Sequence, residues 1–426
     1  MNNLAFDHTG LDDEGLSSAP TSDAVRPLPR ITMQAFCETP EVREVLESAF
    51  SDRRMDRVHK SLQMGGIDGA VDFYAGAPTP NLIIVEMVGR SDAIKGSLER
   101  LAEVCDAGSR VIVIGHVNDV LLYRDLMRNG VSEYLVAPFD PLALMVTVSD
   151  IFTSPEAEPL GKLVAFVGAR GGVGSSTVAH NVAWSITTEL DTDAVIADMD
   201  LPFGTAGLDF NQDPIQGLAN AVFESERVDE QMMERLLFKC TDKLGLFAAP
   251  STLEREYDLG PEAYDSIMDI MRRTVPCGVL DIPHVWTGWA RNAICSADEI
   301  VITAAPDLAS LRNAKNLVEL INSRRKLDTP PRIILNQVGV PKRPEISEED
   351  FATALDIAPM GSIAYDPQLF GVAANNGQMI AEMTPNAKPV EAFHEIAKAV
   401  TGRTVDKRQK SSPLRDILAK LSKSKK

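Results

Sequence analysis

One decapeptide constrains this chain more than any other part of it: Gly168-Ala169-Arg170-Gly171-Gly172-Val173-Gly174-Ser175-Ser176-Thr177. It follows Leu163-Val164-Ala165-Phe166-Val167, an apolar run of strand length. It precedes Val178, Ala179, Val182, Ala183 and Ile186, apolar residues at helical spacing. Strand, glycine-rich turn and helix form the setting in which backbone N–H groups and a helix N-terminus hold phosphates. A lysine directed at the β- and γ-phosphates normally completes such a loop. Ser175 stands there instead. The sequence therefore predicts a phosphate-binding frame that lacks one cation.

Later strand ends add to this frame. One apolar run closes on Asp198-Met199-Asp200, and another, Val279-Leu280, closes on Asp281. Open α/β sheets bind ligands at the carboxyl edge of their strands, where these acids fall. An acid there suits the holding of magnesium-bound water. Asn336 closes Ile333-Ile334-Leu335, where an amide offers a purine ring both a donor and an acceptor. Each piece alone has a plain alternative: a structural turn, a strand-capping acid, a turn asparagine. Their order along the chain joins them into one nucleotide site.

With 426 residues the chain has room for two or three domains. Residues 1–29 are polar and read as a mobile tail. Strands are then expected at Ile31–Cys37, Leu82–Val85, Arg110–Ile114 and Glu133–Val136, with helices such as Val42–Phe50 and Val120–Met127 between them. That assigns 30–153 to a small doubly wound α/β domain. A linker follows at 154–160, around the run TSPEAEP. A second α/β series fills 161–402, with strands expected at Leu163–Val167, Ala194–Ala197, Val279–Leu280, Ile300–Thr303, Ile333–Leu335 and Ser362–Ala364. The fold class expected is α/β, with two doubly wound domains.

The net charge of −19 disfavours adhesion of the whole body to nucleic acid or anionic lipid. Cys37, Cys105, Cys240, Cys277 and Cys295 never form a C-x-x-C pair, which favours reduced thiols in the cytoplasm over disulfides or zinc. No secretory signal is expected, and no apolar run approaches the roughly 18 residues of a spanning helix.

The order of motifs over about 161–400 resembles the ParA/MinD family of deviant Walker ATPases, whose loop reads K-G-G-x-G-K-[ST]-T. The resemblance implies binding of ATP or ADP with Mg by Gly171, Gly172, Val173, Gly174, Ser175, Ser176 and Thr177. Arg170 falls on the signature lysine, which reaches across a homodimer to the partner's nucleotide. Ser175 falls on the loop lysine, and Ser176 on the magnesium-binding hydroxyl. Asp281 falls on the Walker B acid, with Asp198 beside it at the metal. Asp200 falls on the acid that orients the attacking water, and Asn336 on the adenine-reading residue. The segment Pro306-Asp307-Leu308 resembles the family's loop before the next helix. The run from Asp198 to Phe210, followed by Asp213-Pro214 and Gly217-Leu218, is similar to the CpaE/TadZ branch. Membership there implies a factor that localises and assembles a Flp-type pilus secretion machine at the cell pole, through its components or a polar landmark protein.

A hydrogen bond to a charged group contributes about 1.5–3 kcal/mol and a neutral one about 0.5–1.5 kcal/mol. Exchanging lysine for Ser175 then weakens nucleotide binding by roughly tenfold to a hundredfold. Turnover suffers more, because charge developing on the γ-phosphate needs cations. Slow hydrolysis at most is expected. Arg170 either supplies a cation or is merely solvated.

The first domain resembles the response-regulator receiver fold. On that resemblance Glu86 occupies the phosphoacceptor position, Ala137 the lysine and Gly115 the switch hydroxyl, and of the acidic pair only Glu38 remains. Aspartyl phosphorylation is not expected. Glu86 is open to two readings: a phosphate mimic, or a capped or solvated acid. Protein contact is the use left to the domain.

The tail from Arg403 to Lys426 carries nine bases against two acids. Ser412 and Pro413 read as the start of a helix whose Leu414, Ile417, Leu418 and Leu421 share one face. Such a segment, 412–426, suits a membrane surface, placing the protein peripheral to the inner membrane, or a partner groove; the alternative is a solubilising tail on the acidic body. Two rival functions remain on the sequence: an active partitioning ATPase on DNA, and a two-component output protein. The missing lysine and acidic body oppose the first. Glu86 and Ala137 oppose the second. No specific nucleic-acid partner is expected.

Overall fold

Short runs, most of them apolar, become the strands of two separate sheets, parallel but for one edge strand. The computed structural model describes residues 28, 31–89, 91–106, 108–153, 160–212, 217–223, 229–250, 253 and 255–403. The chain divides into two units, 1–157 and 158–426. The basic tail at 412–426, the residues Asp213 and Pro214, and most of the expected linker lie outside the described residues.

In the first unit the strands are β1 (Thr32–Cys37), β2 (His59–Met64), β3 (Leu82–Met87), β4 (Arg110–Gly115) and β5 (Glu133–Val136). The helices are α1 (Pro40–Phe50), α2 (Gly66–Tyr74), α3 (Ser91–Val104), α4 (Val120–Arg128) and α5 (Pro141–Phe152). The strand order is β2-β1-β3-β4-β5, all parallel, the flavodoxin-type winding. Central β3 is buried throughout, because helices cover both faces of such a sheet. Strand β2 was not anticipated. It reads His59-Lys60-Ser61-Leu62-Gln63-Met64 and lies at the sheet edge, where polar side chains face water.

In the second unit the strands are β6 (Lys162–Gly168), β7 (Ala194–Asp198), β8 (Phe238–Lys239), β9 (Leu244–Phe247), β10 (Cys277–Ile282), β11 (Glu299–Ala304), β12 (Arg332–Val338) and β13 (Gly361–Ala364). The helices run α6 (Ser175–Thr188), α7 (Ala206–Asp209), α8 (Leu218–Phe223), α9 (Glu230–Leu236), α10 (Asp265–Thr274), α11 (Gly288–Ser296), α12 (Leu308–Arg324), α13 (Glu348–Leu355), α14 (Pro367–Asn376), α15 (Ile380–Met383) and α16 (Lys388–Thr401). The order is β13-β12-β11-β6-β10-β7-β9-β8, and only β8 runs antiparallel to its neighbour. Alternate residues of β6 serve opposite faces. Leu163, Ala165 and Val167 join one apolar layer, while Val164 and Phe166 join the other. The second layer takes Val178, Ala179, Val182, Ala183 and Ile186 of α6 and packs them with Phe393, Ile396 and Val400 of α16. This packing fixes the start of α6 at the carboxyl edge of β6.

Candidate functional site

The chain leaves β6 at Gly168 and enters α6 at Ser175. Gly172 (φ 78°) and Gly174 (φ 83°) turn it through left-handed backbone. At Gly174 a Cβ would also lie 2.5 Å from the Asn336 amide nitrogen. The loop is tied down from outside. Asn336 Nδ2 donates to the Val173 carbonyl (2.8 Å), Gln337 Nε2 to that of Gly172 (2.9 Å) and Asn313 Nδ2 to that of Ala169 (2.9 Å). These bonds consume carbonyls of the loop and none of its N–H groups. No side chain caps the N-terminus of α6. Ser175 Oγ is buried and has no hydrogen-bond partner. An uncapped helix start beside an orphaned hydroxyl fits a phosphate group.

The Ser176 hydroxyl donates to Asp281 Oδ1 at 3.1 Å. The register of β10 on β7 sets Asp281 opposite Asp198. Asp198 is buried, and that burial together with the charge of Asp281 pushes its carboxyl well above the usual carboxylate range. Its Oδ1 accepts from the Asp200 N–H (3.2 Å) and its Oδ2 from the Ala206 N–H (3.1 Å). Gly204 leaves room for it, since a Cβ there would strike the Asp198 carboxylate. Asp198 thus holds the turn that follows β7. Asp200 is only partly buried and accepts from the Phe203 N–H at 3.2 Å. Among the described residues no group of three or more His, Cys, Asp and Glu is placed to hold a metal ion. The donor set here is of another kind: a hydroxyl on a carboxylate, which suits a magnesium ion held on phosphate and water.

Asn336 is itself buried, with its oxygen accepting from the Gln337 N–H at 2.8 Å. It borders a small cleft of about 130 Å³ between Gly174, Thr177, Tyr365 and Phe370. Arg170 turns to its own chain. Its Nε and Nη2 donate to Asp307 Oδ2 at 3.2 and 2.9 Å. Asp307 caps α12 through the Ser310 N–H. Burial would raise its carboxyl, but that N–H and Arg170 hold it below its usual value.

His180 was not singled out from the sequence. It is fully buried on α6, with Nδ1 2.8 Å from Asp209 Oδ2 and Nε2 3.1 Å from Asp281 Oδ2. The second contact is at ion-pair distance without hydrogen-bond alignment. Burial opposes a charged ring, but the two acids win and raise it to about 10. Its spacing of four from Ser176 was the available signal.

In the first unit, Glu86 at the end of β3 is buried. Its carboxylate accepts from the N–H groups of Glu38 (2.6 Å) and Thr39 (2.9 Å), from Thr39 Oγ1 (2.6 Å), and from His116 Nε2 (2.9 Å). Of the two readings open for Glu86, the geometry is that of a capped acid. Beside it, Gly115 faces the Tyr134 hydroxyl so closely that no Cβ fits, and that hydroxyl donates to the Val117 carbonyl at 2.9 Å. All five cysteines are free thiols.

A parallel sheet with a glycine loop before α6 and an acid at the adjoining strand end defines a P-loop nucleotide-binding fold. No family profile matches the chain. It is 43% identical to a pilus assembly protein CpaE from Caulobacter crescentus, over 98% of that chain and 30% of this one, with a TM-score of 0.30. The identity, not the superposition, carries this relation. It is 23% identical to the septum site-determining protein MinD of Bacillus subtilis, over 97% of that protein and 62% of this chain. A MinD from Pyrococcus horikoshii complexed with Mg-ADP shares the fold, at 18% identity and a TM-score of 0.50 over 96% of its chain and 57% of this one. The chain belongs to the ParA/MinD family as a member of the CpaE type.

Proposed function

We propose that this chain is a localisation and assembly factor for a Flp-type pilus secretion machine, with a nucleotide site that binds ATP or ADP and turns it over slowly if at all. The buried, unpartnered Ser175 hydroxyl at the uncapped start of α6 carries the nucleotide part of this reading. Gly171, Gly172, Val173, Gly174 and Thr177 complete the cradle around it. Ser176 would hold magnesium, with Asp281 behind it, and Asp200 would orient water. Magnesium would add the positive charge that the loop lacks. Asp198 joins the metal corner only as neighbour of Asp281. The pilus part rests on the relation to CpaE. Dimerisation through Arg170, recruitment of machine components at the pole, and membrane contact through 412–426 complete the proposal. The first unit, 30–153, serves as a contact module. No helix among the described residues is long and apolar enough to cross a membrane.

Calorimetry of the full chain with Mg-ATP and Mg-ADP, beside a phosphate-release assay, tests the reading. Binding with little turnover is expected. Turnover comparable with lysine-bearing relatives would overturn the slow-hydrolysis reading, and silence with both nucleotides would remove the nucleotide reading.

A further inference from the structure

His180 occupies an unexpected place. Its neighbours on α6, Val178, Ala179, Val182 and Ala183, are core residues, and it is as buried as they are. A polar ring placed there is costly unless it is partnered. Its partners come from two different elements: Asp281 from the end of β10 and Asp209 from the end of α7. Asp198 is the other acid near it, and the Phe210 ring packs at 5.7 Å. One helical turn separates Ser176 from His180, so both reach the same carboxylate. Ser176 takes Asp281 Oδ1, and His180 Nε2 sits 3.1 Å from Oδ2. Both oxygens of the acid are therefore met from one helix, Oδ1 by a hydrogen bond and Oδ2 by a contact at ion-pair distance.

We propose that His180 is a positioning residue for the metal corner of the nucleotide site, holding the Asp281 carboxylate behind Ser176 and anchored in turn by Asp209. This inference rests on the nucleotide reading above. The anchor lies outside the motif: α7 follows the turn held by Asp198, so the corner is complete only when that turn is folded. Residues that orient metal-holding groups act on metal affinity rather than on the remaining ligand contacts.

The test compares two variants of the full chain. His180→Asn keeps a donor near the Nδ1 position, toward Asp209, and loses the one toward Asp281. His180→Gln restores a donor near the Nε2 position. Affinity for ADP is measured with magnesium and in EDTA, together with thermal midpoints. His180→Asn should weaken Mg-ADP by about tenfold, the low end for residues that orient metal-holding groups, with metal-free ADP little changed. His180→Gln should recover most of that loss. Equal losses with and without magnesium, or no rescue by His180→Gln, would overturn the proposal. If the His180 variants do not fold, Asp209→Ala, at a partly exposed position, should show the same magnesium-specific loss in weaker form. Unchanged Mg-ADP affinity in that variant also overturns it. A wild-type chain that binds no ADP under either condition overturns the nucleotide reading and this inference with it. Wild-type binding without the magnesium-specific loss overturns this inference alone.

Discussion

Both units carry a polar corner at the carboxyl edge of a parallel sheet, and the two corners use their donors differently. In the first unit, Glu86 takes two backbone N–H groups, a hydroxyl and an imidazole, so the chain supplies the anion itself. In the second, side chains hold the glycine loop by its carbonyls, while the start of α6 is uncapped and Ser175 Oγ lacks a partner. One corner is closed by its own sequence. The other is left open by its own sequence. Two sheets of different strand order therefore end in a closed corner or an open one according to whether an acid grows into the corner or a glycine loop stays clear of it.

The sharpest way to break this comparison is to fill the open corner. Gly174→Ala adds a Cβ 2.5 Å from the Asn336 amide in left-handed backbone. Strain of this kind costs on the order of 1–3 kcal/mol, and it also displaces the loop. Nucleotide binding should fall below detection in calorimetry while circular dichroism stays native. Retained affinity would show that the loop does not contact the ligand. Ser175→Lys tests the opposite sense. It should tighten Mg-ATP by roughly tenfold to a hundredfold, the difference between a neutral and a charged hydrogen bond. An unchanged affinity would place the phosphates away from this position.

The closed corner should be broken by removing its acid. Glu86→Gln leaves buried donors facing an amide nitrogen, at about 1–3 kcal/mol. Hydrogen exchange across β1, β3 and α1 of the full chain should accelerate accordingly, with the second unit unchanged. The sign of the pH dependence follows from the shift. Burial alone would raise the Glu86 carboxyl, but the Thr39 hydroxyl, two backbone N–H groups and His116 lower it. Its contribution is then fully present above the unfolded carboxylate value, about 4.3, and is lost as pH falls through the lower folded value. The difference between wild type and Glu86→Gln should shrink only in that acid range. Acetyl phosphate should add no mass to the first unit, and a hydroxylamine-labile adduct there would overturn the closed-corner reading.

The two corners also differ in how much the sequence disclosed. The glycine loop was legible because phosphate binding needs a particular backbone path, and that path demands glycine at particular offsets. Strands β6, β7, β10, β11 and β12 were legible because buried parallel strands are continuous apolar runs. Edge strand β2 was not, since its side chains are mostly exposed and its apolar content is low. The short pair β8 and β9 was missed for want of length. His180 was hidden among core residues of α6, because its partners lie 29 and 101 positions away and spacing within the helix reveals only Ser176. Glu86 was legible as an acid at a strand end, but its donors were not, because two of them are backbone groups.

Arg170 gives the smallest effect within one chain and a discriminating one between two. Its pair with Asp307 is partly exposed, at 36% and 25% of the side chains, and such pairs contribute about 0–1 kcal/mol. Arg170→Ala should therefore leave the thermal midpoint nearly unchanged. Any larger consequence must come from contacts beyond the chain. On the family resemblance the guanidinium would leave Asp307 to reach a partner's nucleotide, and a second copy would then help to close the open corner of the second unit. Sedimentation of the ATP-bound protein should then shift toward monomer in Arg170→Ala, and Arg170→Lys should retain part of the dimer. If dimer content is the same in all three proteins while the fold is intact, Arg170 serves only to steady the loop against α12, and the open corner is closed by ligand without help from a second chain.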